Sequence, residues 1–165
     1  SVFVGDGGNF GQWMQACVSA PQRIINGPSG AIGSAVPFAL AARLAHPSAR
    51  IAACCGDGAF GFHPFEFDTA IRSRLPFVFV IGNDARWNAE YQIQLRSYGQ
   101  KRVKGCELLP TAYHEAIQAL GGWGKAVDTP DELEAALKAA EASGLPACIN
   151  VPIKGEDAPL IRSSG

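Results

Sequence analysis

Two apolar runs, residues 51–55 (IAACC) and 77–81 (FVFVI), each break off into a short turn that contains an acid. The first ends in Gly56-Asp57-Gly58 and the second in Gly82-Asn83-Asp84. Runs of that length bounded by glycine read as buried strands, so both acids stand at carboxyl ends of strands. Between them Pro64 suits a first helical turn, and Phe65, Phe67, Thr69, Ala70, Ile71 and Leu75 supply apolar positions for a helix. Strand, helix and strand joined by a right-handed crossover place both loops on one edge of a parallel sheet. Asp57 and Asp84, 27 positions apart, are therefore expected to converge there.

The rest of the chain repeats that alternation. Strands are expected at 1–4, 22–26, 125–128 and 147–151, and helices at 34–44, 111–120 and 133–142, with a further helix after the loop 5–9 carrying Trp13, Met14, Cys17 and Val18 on an apolar side. Thr129-Pro130-Asp131-Glu132 is a helix start, and Gly121-Gly122 and Ser143-Gly144 are helix stops. Residues 91–105 show mixed periodicity and a basic run, and are read as a solvated or subunit-facing loop. His46 is expected near a helix C-terminus and His114 on the outer side of its helix. The fold class that follows is α/β: three layers, about six strands in a mostly parallel sheet, helices on both faces.

A single domain over residues 1–165 matches the length, and 47% hydrophobic residues suffice for its core. The formal net charge of −1 provides no broad basic field, which argues against nucleic-acid and anionic-membrane partners, and no run is long enough to span a membrane. Five cysteines without a CxxC spacing argue against a disulfide framework or a zinc knuckle and fit a cytoplasmic location. Cys54 and Cys55, on a buried strand, are read as small packing residues. The start has neither a signal segment nor an initiating Met, so the chain is expected to begin inside a longer enzyme.

Gly56-x-Gly58-x-x-Gly61 after a strand satisfies a dinucleotide-binding pattern, which would make the chain a nicotinamide- or flavin-dependent oxidoreductase domain. Against it, Phe62-His63-Pro64 interposes a loop where that pattern wants a helix to begin. A Gly-Asp-Gly triplet followed at this distance by Asn-Asp instead resembles the thiamin diphosphate signature. The resemblance extends over nearly the whole chain, to the carboxyl-terminal diphosphate-binding domain of thiamin diphosphate-dependent enzymes of the acetolactate synthase, benzaldehyde lyase, oxalyl-CoA decarboxylase and 2-hydroxyacyl-CoA lyase group. A non-catalytic domain that retained the fold is the remaining alternative.

The resemblance implies Mg²⁺ held by Asp57, Asp84 and the main-chain carbonyl of Arg86, and bridging to the diphosphate. Asp84 stands where the family more often has Asn; a carboxylate oxygen suits Mg²⁺ equally, and the Arg86 side chain offsets part of the added charge. Gly56, Gly58, Ala59 and Ala89 are implied diphosphate contacts, and the glycine-rich turn Gly7-Gly8-Asn9 before a helix is a second phosphate-friendly loop. Gly30, Ala31 and Ile32, in the loop Gly30-Ala31-Ile32-Gly33, are implied to hold the cofactor bent, with Ile32 wedged between its two rings and the Gly30 carbonyl facing the aminopyrimidine. Trp87 tilts the subgroup toward lyases acting on 2-hydroxy ketones or acyl-CoA compounds. Glu90 is the implied catalytic carboxylate, with a helix-start role as its plain alternative. The partner implied is a pyrimidine-binding domain of the same or a second subunit in a homodimer or homotetramer. The substrates implied are 2-oxo acids, 2-hydroxy ketones or acyl-CoA compounds.

Overall fold

The computed structural model describes residues 1–26 and 30–159; Gly27, Pro28 and Ser29, where the sequence suggests that the loop leading into the helix at 34–44 begins, lie outside them. Six strands form one sheet: β1 Val2–Gly5, β2 Gln22–Ile25, β3 Ile51–Gly56, β4 Val78–Asn83, β5 Trp123–Ala126 and β6 Ala147–Pro152. Their order is β2-β1-β3-β4-β6-β5, and every pair is parallel. The expected architecture is present, with a sheet that is wholly rather than mostly parallel.

The helices are α1 Gly8–Cys17, α2 Ala35–Ala45, α3 Asp57–Phe60, α4 Glu66–Arg72, α5 Asn88–Tyr98, α6 Tyr113–Ala119 and α7 Pro130–Ser143. The chain leaves β1 for β2 on one side and returns past it to β3, so α1 and α2 must lie on opposite faces if both crossovers are right-handed. On the α2 face Val4, Ala39, Phe60, Phe67, Phe79, Ile81 and Ile117 make the main core. On the other, α7 buries Ala136 and Ala140 against Ala147 and Ile149. Alternation along β6, with Cys148 in the first cluster and its two neighbours in the second, is what a strand covered on both faces requires.

Three expectations need correction. Residues 91–105 are largely helix: α5 runs to Tyr98, and a 3₁₀ turn follows at Gln100–Arg102. Its packing is polar, through Asn88, Gln92 and Gln94, and so leaves no apolar stripe for periodicity to show. The apolar side expected of α1 is not its buried side: Asn9 and Gly11 are buried, while Trp13 is exposed and donates its indole N–H to the carbonyl of Asp157 at 2.8 Å. Gly11 sits so close to the Asp6 carbonyl that no Cβ would fit, which lets the helix cross the strand end on a glycine. His114 is also half-buried rather than outward, with Nδ1 enclosed and unpartnered.

The reversal of strand order falls between β1 and β3. Ligands of open parallel sheets bind beyond the carboxyl ends at such a reversal. Here that place is bounded by Gly5-Asp6-Gly7 and Gly56-Asp57-Gly58.

Candidate functional site

A cleft of about 180 Å³ opens at that edge, and it is lined by Gly7, Gly8, Asn9, Gly30, Ile32, Gly56, Asp57, Gly58, Ala59, Asp84, Arg86, Trp87, Ala89 and Glu90. Of the residues expected at the site only Ala31 stands apart, exposed, with its carbonyl accepting from Asn26 Nδ2 at 3.3 Å. Phe10, Gln12 and Gly82 also line the cleft and were not anticipated. A larger cavity of about 390 Å³ lies at the opposite end of the sheet, lined by Phe3, Ala52, Val78 and Leu137 among others. Its cations are already engaged, Arg43 on the carbonyls of Pro76 and Pro47, Arg50 with Glu141 and Lys138 with Glu134. The smaller cleft is the one with converging, unspent polar groups.

Asp57 is 1% exposed, and its Oδ2 has no hydrogen-bond partner. Burial raises its carboxyl to about 6, and the charge of Asp84 pushes the same way. Asp84 is half-exposed and also raised, again chiefly by burial, while the Arg86 amide and guanidinium oppose the shift. A buried pair of acids with an orphaned oxygen is costly unless a cation joins it. No third acid, His or Cys joins them in a metal-sized cluster among the described residues, so a hard cation here would draw further oxygens from backbone, water and diphosphate.

The backbone beside the two acids is shaped by an isolated bridge. Trp87 N–H donates to Cys106 O at 2.8 Å and Leu108 N–H to Ala85 O at 2.7 Å, which pairs Arg86 with Glu107 in antiparallel fashion. Bonds made by the flanking residues leave Arg86's own N–H and C=O turned away from Glu107, on the side where its amide acts on Asp84. Ala85 adopts a φ of 53° to make that turn, and Asn83 pins it by accepting from the Ala85 N–H at 3.1 Å. The Arg86 guanidinium lies 4.5 Å from the centroid of Tyr91.

Close approach explains the glycines. A Cβ on Gly58 would stand 3.0 Å from the Trp87 ring, and one on Gly7 2.8 Å from Ile32. Helix α3 begins at Asp57 itself and stops after four residues, before Gly61, so the loop expected at Phe62-His63-Pro64 stands between it and α4. Helix α5 begins at Asn88 without a side-chain cap, so its first amides, Ala89 and Glu90 among them, remain available to an anion. Glu90 is exposed at that helix start and faces the cleft.

Two further groups escaped sequence reading. Asp6, wholly buried, accepts from the N–H groups of Gly7 (2.8 Å), Gly33 (3.0 Å) and Ala35 (2.8 Å), and so caps α2 from the end of β1. The segment after β6 crosses the site: the Glu156 carbonyl accepts from Asn9 and Asn88, and a Cβ on Gly155 would stand 3.0 Å from Asp84 Oδ2. Asp6 had one visible signal, a second Gly-Asp-Gly at a strand end; the crossing segment had none.

Residues 6–151 match the family model described as thiamine pyrophosphate enzyme, C-terminal TPP binding domain. The chain is 41% identical over 155 residues to the acetolactate synthase large subunit IlvG of Mycobacterium tuberculosis, covering 92% of this chain and 28% of that protein. It is 35% identical over 165 residues to 2-hydroxyacyl-CoA lyase 2 of Bos taurus, covering 95% and 26% respectively, and 34% identical over 138 residues to 2-hydroxyacyl-CoA lyase of Oryza sativa subsp. japonica, covering 79% and 23%. The chain spans about a quarter of the length of these curated relatives. A buried acid with an unspent oxygen, at the reversal point of a parallel sheet and inside the matched stretch, is the setting a metal-bridged diphosphate needs, and this chain belongs to the family of thiamine pyrophosphate-binding carboxyl-terminal domains.

Proposed function

We propose that the chain forms the diphosphate- and metal-holding half of an active site that makes or breaks a carbon–carbon bond beside a carbonyl. The observation that carries this reading is the orphaned Asp57 Oδ2 beside Asp84, with the Arg86 carbonyl turned to the same side. In this reading Asp57, Asp84 and the Arg86 carbonyl hold Mg²⁺, and the free amides at the start of α5 and around Gly58 receive diphosphate oxygens. Ile32, across the cleft from Trp87, receives the ring-bearing end. Thiamin diphosphate, held by these residues, would supply a carbon nucleophile and an electron sink for such a reaction.

The chain's own residues bind, orient and exclude water. Glycines at 7, 58 and 82 let Ile32, Trp87 and Phe10 pack directly on the backbone, and so set the walls of the cleft. Glu90, at the open rim, is placed to hold or deliver a proton on the substrate side. A pyrimidine-binding domain of the same or a second subunit completes the site in a homodimer or homotetramer. Substrates are 2-oxo acids, 2-hydroxy ketones or acyl-CoA compounds, the last in keeping with the 2-hydroxyacyl-CoA lyase named among the relatives. A cytoplasmic location belongs to the same proposal and is supported by the five unpaired cysteines. No helix among the described residues is long and apolar enough to cross a membrane.

Calorimetric titration with thiamin diphosphate, with and without Mg²⁺, tests the reading. Binding that needs the metal and is displaced by inorganic diphosphate is expected. Metal-independent binding, or binding that inorganic diphosphate leaves untouched, overturns it.

A further inference from the structure

Gly33 is gripped at both ends of its backbone by side chains from two different strand-end loops. Its N–H donates to Oδ2 of Asp6 at 3.0 Å. Its carbonyl oxygen lies 2.8 Å from Nδ1 of His63, and since a carbonyl only accepts, that nitrogen carries the proton. Asp6 Oδ2 takes a second bond from Ala35 N–H, so the grip continues into the first residue of α2. Gly33 has a φ of 94°, and a Cβ there would stand 2.5 Å from Cβ of Phe62. The Phe62-His63 turn has thus closed directly onto the peptide, a fit open only to glycine.

The neighbour in the loop, Ile32, is the apolar side chain that reaches the cleft. Holding both polar groups of Gly33 removes the local φ/ψ freedom through which Ile32 would swing. His63 itself is exposed and does not line the cleft, so whatever it does for a ligand it does through Gly33.

We propose that His63 is a positioning residue: with Asp6 on the N–H and His63 on the carbonyl, Gly33 is clamped, and residues 30–33 receive the ring-bearing end of the ligand in a single pose. The inference rests on the thiamin diphosphate reading above and assigns Phe62-His63-Pro64 a role that neither the metal nor the diphosphate contacts require.

The test compares His63→Ala with His63→Asn, whose Nδ2 stands where the ring Nδ1 stands and can donate the same bond. Two readouts are taken on the chain: amide hydrogen exchange without ligand, and affinity for thiamin diphosphate against inorganic diphosphate, each with Mg²⁺. His63→Ala is expected to speed exchange at Gly33 and Ala35 about tenfold, the scale of one lost hydrogen bond, while β3 and β4 amides keep their protection. It is expected to weaken thiamin diphosphate about tenfold and inorganic diphosphate by less than about twofold, because the latter never reaches residues 30–33. His63→Asn restores both. Unchanged exchange in His63→Ala, equal loss for the two anions, or an asparagine no better than alanine overturns the clamp. A wild-type chain that binds neither anion overturns the functional reading instead, and the exchange comparison then decides the clamp by itself.

Discussion

Gly-Asp-Gly occurs twice in this chain, at 5–7 and 56–58, and the two triplets end neighbouring parallel strands. Both aspartates are almost wholly buried. Their surroundings differ in one respect. Asp6 is met by three backbone N–H groups and the start of α2, so its charge is spent on the fold. Asp57 opens α3, faces a second acid and keeps an oxygen with no partner. The same triplet at the same kind of strand end therefore serves two ends, and what separates them is whether another part of the chain returns to satisfy the carboxylate. The first acid stabilises the protein; the second destabilises it unless, as proposed above, a cation joins it.

The sharpest break of that comparison is Asp6→Ala. It removes a charged acceptor from three buried amides at once, and bonds to charged groups are worth more than neutral ones, so a loss of about 3–5 kcal/mol in unfolding free energy is expected. Urea denaturation measures it. A loss below about 1 kcal/mol would place Asp6 with Asp57 as a site residue and not a structural one.

Asp57→Asn is expected to do the reverse. Metal-dependent thiamin diphosphate binding falls by about a hundredfold or more, since the cation loses its most buried charged oxygen, while the ligand-free protein melts at the same temperature or a few degrees higher. Calorimetry and thermal melting on one preparation read both. Loss of melting temperature together with binding would mean that Asp57, too, is structural.

How far the sequence carried this contrast depends on which residues are considered. Strands β3 and β4 were legible as near-continuous apolar runs, buried but for an exposed Ala52 and the half-covered Val78 and Val80, and the acids at their ends followed from the crossover alone. Asp6 was not legible in its role, because its partners Gly33 and Ala35 lie 27 and 29 residues away and come to it only through the fold. Helix α5 was hidden for a related reason: it is held by polar contacts, and the periodicity that marks a helix is a record of apolar burial. The segment at 153–157 has no pattern of its own, and its place is set by the bonds it makes with Asn9, Trp13, Asn83, Asn88 and Arg96.

The raised carboxyl of Asp57 sharpens the comparison through pH. Folded, it titrates near 6; unfolded, it returns to the ordinary 3.8. Between those values the folded chain holds a proton that the unfolded chain has lost, so this group's contribution to stability is present below about 4 and is lost as pH rises through about 6. On the proposed reading Mg²⁺ binds the deprotonated form. Stabilisation by saturating Mg²⁺ and diphosphate should therefore be small at pH 5 and grow toward pH 7, and Asp57→Asn should abolish that growth. Melting curves across this range test it, and a metal effect that is flat with pH would sink the assignment of the titrating group.

The mildest change expected is Asp84→Asn, and it separates the two acids of the site from each other. Asp84 is more exposed than Asp57 and on the proposed reading contributes one oxygen of several, so an amide oxygen in the same place keeps the ligand count, and affinity should fall only about threefold. The substitution also removes the negative charge that helps to hold Asp57 up, so the midpoint of the pH dependence should move below 6. Shape matters here more than charge. The backbone at Gly155 already stands where a Cβ would come within 3.0 Å of Asp84 Oδ2, so Asp84→Glu, which preserves the charge but lengthens the side chain, must push against the crossing segment. It should cost more affinity than Asp84→Asn despite being the more conservative change in charge. The two variants titrated side by side with Mg²⁺ and thiamin diphosphate decide the matter. If Asp84→Asn matched the loss seen in Asp57→Asn, or Asp84→Glu bound as well as the wild type, the second acid would be acting by charge alone and the fitted geometry at this edge of the cleft would be refuted.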